Sequence, residues 1–436
     1  MMNREKVLQP FIEQQDYMNE RVKSGIEQHR KGYFRLNVVD AEGNAVADAQ
    51  VSIKQKTHEF RIGANLFALG ELGSPEKNEE YEHLFADCFN LGTLPFYWKD
   101  VEPQQGYLRV EKDAPKIYRR PTIEQCLEFC EKYGIEPKAH CLDYDYFSPD
   151  WVHQMNDLQQ VRRALYNRFA ELSKRYADRI PSWEVVNEAL FVPNYEPRVH
   201  NTPHYLQNDM IEWDFRTANQ CFPANRLIIN ECRDNIFREY VGNRSGYYML
   251  IERALQKGCR IDSIGMQYHM TEKEEDELSF ARKYYSPEFI YQALDRYADF
   301  GLPMQITEFS VPSYRNTEED EEIQTEILKN LYSIWFSHPN MEAIICWDVV
   351  DGLEWSPYRC GYLRNDLTPK KAYTMIRDLF HKTWHTEEEA VSDALGKVAF
   401  KGFYGDYEIT VKVGTEYVTK PLHLFKAGDR EFKITI

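Results

Sequence analysis

Between residues 63 and 385 short apolar runs alternate with longer stretches of helical periodicity. Residues 137–140, 182–186, 226–230, 263–266, 303–307 and 343–347 read as strands. Each ends in, or is followed at once by, a polar or aromatic residue: His140, Asn187, Asn230, Gln267, Glu308 and Trp347. Strands alternating with helices predict βα units and a parallel sheet. The repeated rim-type ending predicts that the sheet closes, giving an α/β fold of the (β/α)8 TIM-barrel class with its chemistry at the C-terminal ends of the strands.

The two ends of the chain have a different texture. Residues 1–30 are charged and helix-prone with few apolar positions, and read as a surface helix. Residues 33–39 and 49–53 alternate apolar and polar positions around a Gly43 turn, which predicts a β hairpin. Residues 397–400, 407–411 and 432–436 alternate in the same way. Small strand sets are marginal alone. Both ends are therefore expected to build one small accessory β module. The predicted division is 1–62 for the N-terminal helix and hairpin, 63–385 for the barrel, and 386–436 for the closing strands.

Charge narrows the ligand. The 436-residue chain has 53 Lys+Arg against 70 Asp+Glu, a net charge of −17. That argues against nucleic-acid backbones and anionic membrane surfaces. Neutral ligands such as sugars stay open, and 29 tyrosines suit a cleft that stacks on sugar rings, although any single tyrosine is better read as core. The nine cysteines have no metal-type spacing, Cys126 and Cys130 included, and read as reduced interior thiols. No 18-residue apolar run marks a transmembrane helix, and the polar start is not a signal peptide. The expected location is cytoplasmic, or extracytoplasmic if a leader has been trimmed. Oligomeric state is left open.

Two of the strand ends carry glutamates about 120 positions apart, Glu188 and Glu308. Two carboxylates delivered to one barrel mouth are the minimum equipment for glycosidic cleavage with retention, at a separation of roughly 5–5.5 Å. No metal or organic cofactor is needed for that chemistry. The acidic run Glu318–Glu322 reads as a solvated helix start favoured by the helix dipole, not as a metal site.

Taken in order, the strand ends resemble the glycoside hydrolases of family 10, many of them endo-β-1,4-xylanases. Trp183-Glu184-Val185-Val186-Asn187-Glu188 matches that family's Trp-Asp-Val-Val-Asn-Glu, and Ile306-Thr307-Glu308 its nucleophile motif. Phe89-Asn90, Trp98 with Glu102-Pro103, His140 with Trp151, Asn230-Glu231, Gln267-x-His269, Trp347 and Pro369-Lys370 continue the series. The resemblance implies Glu188 as acid/base, Glu308 as nucleophile, and Asn187 on the sugar 2-hydroxyl. It also implies His269 orienting Glu308 and helping to keep it ionised, and Trp347 flooring the reacting sugar. His140, Gln267, Trp98 and Tyr144 complete the expected substrate contacts.

The chain departs from that pattern on the glycone side. Thr93, Leu94 and Tyr97 stand where the family places Glu, Asn and Lys, and Tyr144-Asp145 stands in place of Trp-His. The run Asp143-Tyr144-Asp145 is thus expected to bring two carboxylates near the glycone subsites. The reaction type should survive while glycone specificity changes. Three classes follow: a retaining glycosidase acting on xylan-type β-linked oligo- or polysaccharides, an exo-acting or aryl-β-glycosidase, and a non-catalytic carbohydrate-binding protein.

Overall fold

The computed structural model describes residues 4–190, 201–237 and 239–436. Two strands, β1 (Lys31–Val39) and β2 (Gln50–Gln55), precede the barrel. The barrel strands are β3 (Arg61–Asn65), β4 (Leu91–Pro95), β5 (Glu136–His140), β6 (Ser182–Asn187), β7 (Arg226–Glu231), β8 (Ser263–His269), β9 (Met304–Ser310) and β10 (Met341–Cys346). They run parallel and close in that order, β10 meeting β3. β6 and β9 are buried at every position, as strands covered on both faces must be. The expected (β/α)8 barrel is present.

Register breaks re-aim the rim. The β6–β7 pairing slips between Glu184 and Val186, and the β8–β9 pairing slips between Met266 and Gln267. A bulge of this kind turns the following side chains off the regular alternation. Here those side chains are Asn187 and Glu308.

Two barrel strands, β3 and β4, are not marked by the apolar pattern. Each contains glycine and almost no β-branched residue. At Gly63 a Cβ would stand 2.6 Å from the Leu91 carbonyl oxygen, so close strand approach, not side-chain packing, selects the residue.

Five further strands follow the barrel: β11 (Glu387–Val391), β12 (Lys397–Phe403), β13 (Gly405–Val413), β14 (Glu416–Leu424) and β15 (Glu431–Thr435). With β1 and β2 they form two sheets, β12-β1-β15 and β11-β2-β13-β14. Phe34, Leu36 and Val38 meet Val51, Ile53, Ile409 and Val411 in one shared core. The expected β1–β2 hairpin is not formed. Phe34 pairs with Phe400 and Ile53 with Ile409, so the two strands lie in different sheets. The reason is burial: face-to-face packing covers the apolar side of both strands, whereas an isolated hairpin would leave it wet.

The N-terminal helices Gln9–Glu13 and Gln15–His29 are more than surface. They bury Phe11, Met18 and Ile26, and the preceding Arg4 pairs with Glu277 at 2.8 Å and Asp320 at 2.7 Å. The acidic run does open a helix, Glu318–Ser337, capped by Thr317. It is not simply solvated, because Arg4 takes the buried Asp320 and Arg364 takes the buried Glu321. Among the described residues no helix is long and apolar enough to cross a membrane.

Candidate active site

A cleft of about 580 Å³ opens at the C-terminal ends of the barrel strands. His140, Tyr144, Asn187, Glu188, Gln267, His269, Glu308 and Trp347 all line it. Trp98 does not. It is 3% exposed, donates from Nε1 to Glu102 at 2.9 Å, and packs edge-on against Trp151 at 5.5 Å. The Arg168 guanidinium lies over its ring at 5.4 Å, so these partners brace it outside the lining where a sugar contact is expected.

The two glutamates share one neighbour. Gln267 Nε2 lies 2.9 Å from Glu188 Oε1 and 3.2 Å from Glu308 Oε1, which puts those oxygens within about 6 Å of each other. Asn230 is locked by accepting from Thr307 Oγ1 at 2.6 Å, so its amide nitrogen faces Glu308 Oε1 at 2.9 Å and Asn187 Oδ1 at 2.8 Å. With Oδ1 so occupied, Asn187 has its own amide N–H groups left for the cleft. Glu188 has φ of 54°, a left-handed backbone unusual for its type. Tyr205 Oη holds it there by donating to the Glu188 and Ala189 carbonyls at 2.8 and 2.7 Å. Tyr144 Oη donates to Glu188 Oε2 at 2.6 Å. Burial and that carboxylate hold the phenol well above its ordinary range, so it remains a donor.

Beneath the cleft lies a buried charge network that the motif reading did not anticipate. Lys138 Nζ bonds Glu184 Oε1, and His140 Nδ1 meets Glu184 Oε2 at 2.5 Å and Glu308 Oε1 at 3.7 Å. Burial alone would raise the Glu184 pKa, but Lys138 and then His140 outweigh it and bring it down to about 2. Burial alone would lower His140, but Glu184 and then Glu308 raise it. For Glu308 burial dominates: it pushes the carboxyl up to about 8, His140 opposes, and Glu184 and Glu188 add to the rise.

The expectation that His269 keeps Glu308 ionised therefore needs correction. His269 Nε2 does reach Glu308 Oε2 at 3.3 Å, with Nδ1 on Ser310 Oγ at 3.1 Å. Burial drives its pKa down to about 4, however, leaving a neutral ring that can orient Glu308 but carries no charge. Of the two rings beside Glu308, His140 is the one whose pKa the carboxylates Glu184 and Glu308 raise.

Nor do Asp143 and Asp145 reach the cleft. Backbone extended at Tyr144 alternates side chains, so Tyr144 faces in while both neighbours turn away. Asp145 accepts from Thr202 Oγ1 at 2.7 Å, and Asp143 lies beside His204 and Asp214. Burial raises the pKa of both aspartates. Among the described residues two clusters have ligand atoms close enough for a metal ion, His140–Glu184–Glu308 and Asp143–His204–Asp214. Each already contains its own counter-charge or donor: Lys138 on Glu184, and His204 Nε2 on Asp214 at 3.0 Å.

Aromatic rings complete the walls. Trp347 meets His140 at 5.1 Å and Phe67 at 5.2 Å, while Trp355 is 49% exposed and stands edge-on to His269 at 5.0 Å. Phe67, Arg119, Arg120, Phe147 and Trp355 line the cleft without having been singled out from the sequence. All sit outside regular strands, where no periodicity marks them. Lys138 and Glu184 could have been found, because two opposite charges inside neighbouring apolar strands require each other.

Comparison with known proteins gives a family and a fold. The model of the family described as "Glycosyl hydrolase family 10" matches residues 73–379. The Anti-sigma-I factor RsgI6 of Acetivibrio thermocellus is 25% identical over 402 residues, covering 91% of this chain and 46% of that protein. Beta-1,4-xylanase of Dictyoglomus thermophilum is 24% identical over 306 residues, 66% of this chain and 79% of that protein. Xylanase 10B from Thermotoga petrophila RKU-1, solved in complex with xylobiose, superposes with a TM-score of 0.59 at 21% identity, covering 74% of this chain and 95% of that one. The chain spans less than half the length of the Acetivibrio protein and 33% of an Arabidopsis thaliana endo-1,4-beta-xylanase.

Proposed function

We propose that this chain, which belongs to glycosyl hydrolase family 10, is a retaining glycoside hydrolase acting on β-1,4-linked xylan-type sugars. Glu188 is the acid/base and Glu308 the nucleophile. The observation that carries this reading is the single amide nitrogen, Gln267 Nε2, touching both carboxylates. It holds them closer than the roughly 6.5–9.5 Å that an inverting pair needs for an intervening water. The Dictyoglomus β-1,4-xylanase and the Thermotoga xylanase bound to xylobiose, both similar to this chain, support the sugar class.

In the first step a Glu308 oxygen attacks the anomeric carbon while Glu188 gives its proton to the leaving oxygen and the glycosidic bond breaks. The product is a glycosyl ester on Glu308. In the second step the Glu188 carboxylate takes a proton from water, whose oxygen displaces Glu308 and restores the β configuration. Asn187 offers its amide N–H to the 2-hydroxyl, and Trp347 supplies the apolar floor.

One feature favours a short glycone. Phe147 stacks on Tyr97 at 4.1 Å and the Arg120 guanidinium lies over Tyr97 at 4.4 Å. This stack lines the side where the family resemblance places polar contacts, and it supports exo-acting or aryl-glycosidase behaviour over cleavage within long chains.

The test is hydrolysis of aryl β-glycosides and xylo-oligosaccharides, followed by NMR of the first-formed anomer. The β anomer and short products are expected. An α anomer as first product would overturn the assignment, and no turnover on any substrate would favour a binding protein. Tyr144→Phe checks the acid/base. Losing a hydrogen bond to a carboxylate should slow substrates with poor leaving groups about tenfold. Substrates whose leaving group departs without a proton should be nearly unaffected, and equal losses on both would refute a role through Glu188.

A further inference from the structure

The cleft holds a cation that the reaction above does not use. Arg119 is 8% exposed, lines the cleft, and has a buried Nε with no hydrogen-bond partner. Its carboxylate neighbour, Asp348, stands 3.7 Å from Nη2, beyond hydrogen-bond reach. Asp348 is also committed elsewhere: Oδ2 accepts from Ser310 Oγ at 2.7 Å and Oδ1 from Trp355 N at 3.4 Å. Burial draws the Arg119 pKa down and Asp348 offsets this only in part. A buried guanidinium left so incompletely paired is costly unless something else completes it.

The backbone points the same way. Arg119 has φ of 56°, where glycine or asparagine would sit at lower cost, so the side chain is what this position supplies. The non-glycine residues with positive φ among the described residues are Asp48, Arg119, Glu188 and Leu367, and two of these four line this one cleft. Arg120 adds a second guanidinium on the same wall, lying over Tyr97 at 4.4 Å and Phe67 at 4.9 Å with Nε on Asp100 at 2.9 Å. Paired arginines in the cleft of a chain with net charge −17 run against its overall field.

We infer that the glycone side of the cleft takes a sugar bearing a carboxylate, a uronic acid unit, with Arg119 donating to that carboxylate. A planar carboxylate fits the guanidinium fork, and a charge-assisted pair gains more than a neutral hydroxyl would. The inference rests on the glycosidase reading for which side is glycone. It departs from the neutral sugars that net charge suggests.

The test is calorimetric binding to the Glu308→Gln protein, which cannot turn substrate over. The probes are a neutral xylo-oligosaccharide, the same oligosaccharide with glucuronic acid at its non-reducing end, and that compound with its carboxyl reduced to an alcohol. The acidic probe should bind about tenfold tighter than the other two, and added Arg119→Gln should collapse the ratio to about one. Equal affinity for the acidic and reduced probes overturns the inference, as does a ratio that survives Arg119→Gln. The reduced probe needs no Arg119 variant, so a misfolded mutant does not block the result. Wild-type hydrolysis of the neutral substrate is read separately. Turnover with a binding ratio of one keeps the enzyme and removes the uronate, whereas a tenfold ratio without turnover does the reverse.

Discussion

Replacing Glu308 by Gln is expected to reduce hydrolysis by on the order of 10⁴-fold or more, with the barrel intact. The substitution keeps an oxygen for Asn230 Nδ2 and Gln267 Nε2, so its hydrogen bonds persist while its nucleophilicity does not. The shorter Glu308→Ala leaves space on the face opposite the leaving group. Azide entering there should restore turnover of an activated aryl glycoside and give the α-glycosyl azide. Glu188→Ala with azide should give the β product instead, because the anion then attacks the glycosyl-enzyme. Full activity in Glu308→Gln, or one azide anomer from both variants, would refute the two roles. The ionisation has a pH signature. Burial holds Glu308 up at about 8 in the folded free enzyme, so it is protonated below that pH. Cleavage needs Glu308 ionised and a proton on Glu188 at once, so kcat/KM against pH should trace a bell whose two limbs belong to the pair. Stability should fall as pH rises. A carboxyl with a raised folded pKa contributes stability fully present below its unfolded value and lost as pH rises through the folded one. Tm measured against pH should fall between the unfolded carboxylate value of about 4.3 and the folded value of about 8.

Lys138→Met is expected to cost about 3–5 kcal/mol of stability at neutral pH, the penalty for leaving a buried carboxylate short of its partner. Lys138 and Glu184 are both completely buried, and Lys138 is a principal cause of the depressed Glu184 pKa. In the wild type that depressed pKa gives stability present above the unfolded carboxylate value and lost only as pH falls through about 2. In the variant burial wins, the Glu184 pKa rises, and the sign reverses. The loss should then be largest at neutral pH and shrink on acidification toward pH 4–5, as Glu184 takes up a proton. Urea unfolding of both proteins across that range measures it. A penalty that is small, or independent of pH, would show that Glu184 does not depend on Lys138.

The legible part of this protein is what local pattern controls. The later barrel strands are apolar runs with a polar terminus, so β5 to β10 were recoverable within a few residues, and with them His140, Asn187, Glu188, Gln267, Glu308 and Trp347. β3 and β4 were not, because backbone proximity at Gly63, not side-chain burial, shapes them. Motif order was enough to bring Glu188 and Glu308 together, since a barrel delivers all its strand ends to one mouth.

What the sequence by itself determined is therefore the barrel, the identity of the two carboxylates and the strands that present them. Periodicity and residue type act over neighbouring positions and survive without a fold. What only the tertiary structure decided is which group carries which charge and which side chains face the ligand. Burial drew the His269 pKa down, whereas Glu184 and Glu308 overcame burial at His140 and raised it. The extended backbone at Tyr144 turned Asp143 and Asp145 out of the cleft, and a left-handed turn brought Arg119 into it. Each of these depends on desolvation and on contacts between residues far apart in the chain, and neither quantity exists until the barrel has closed.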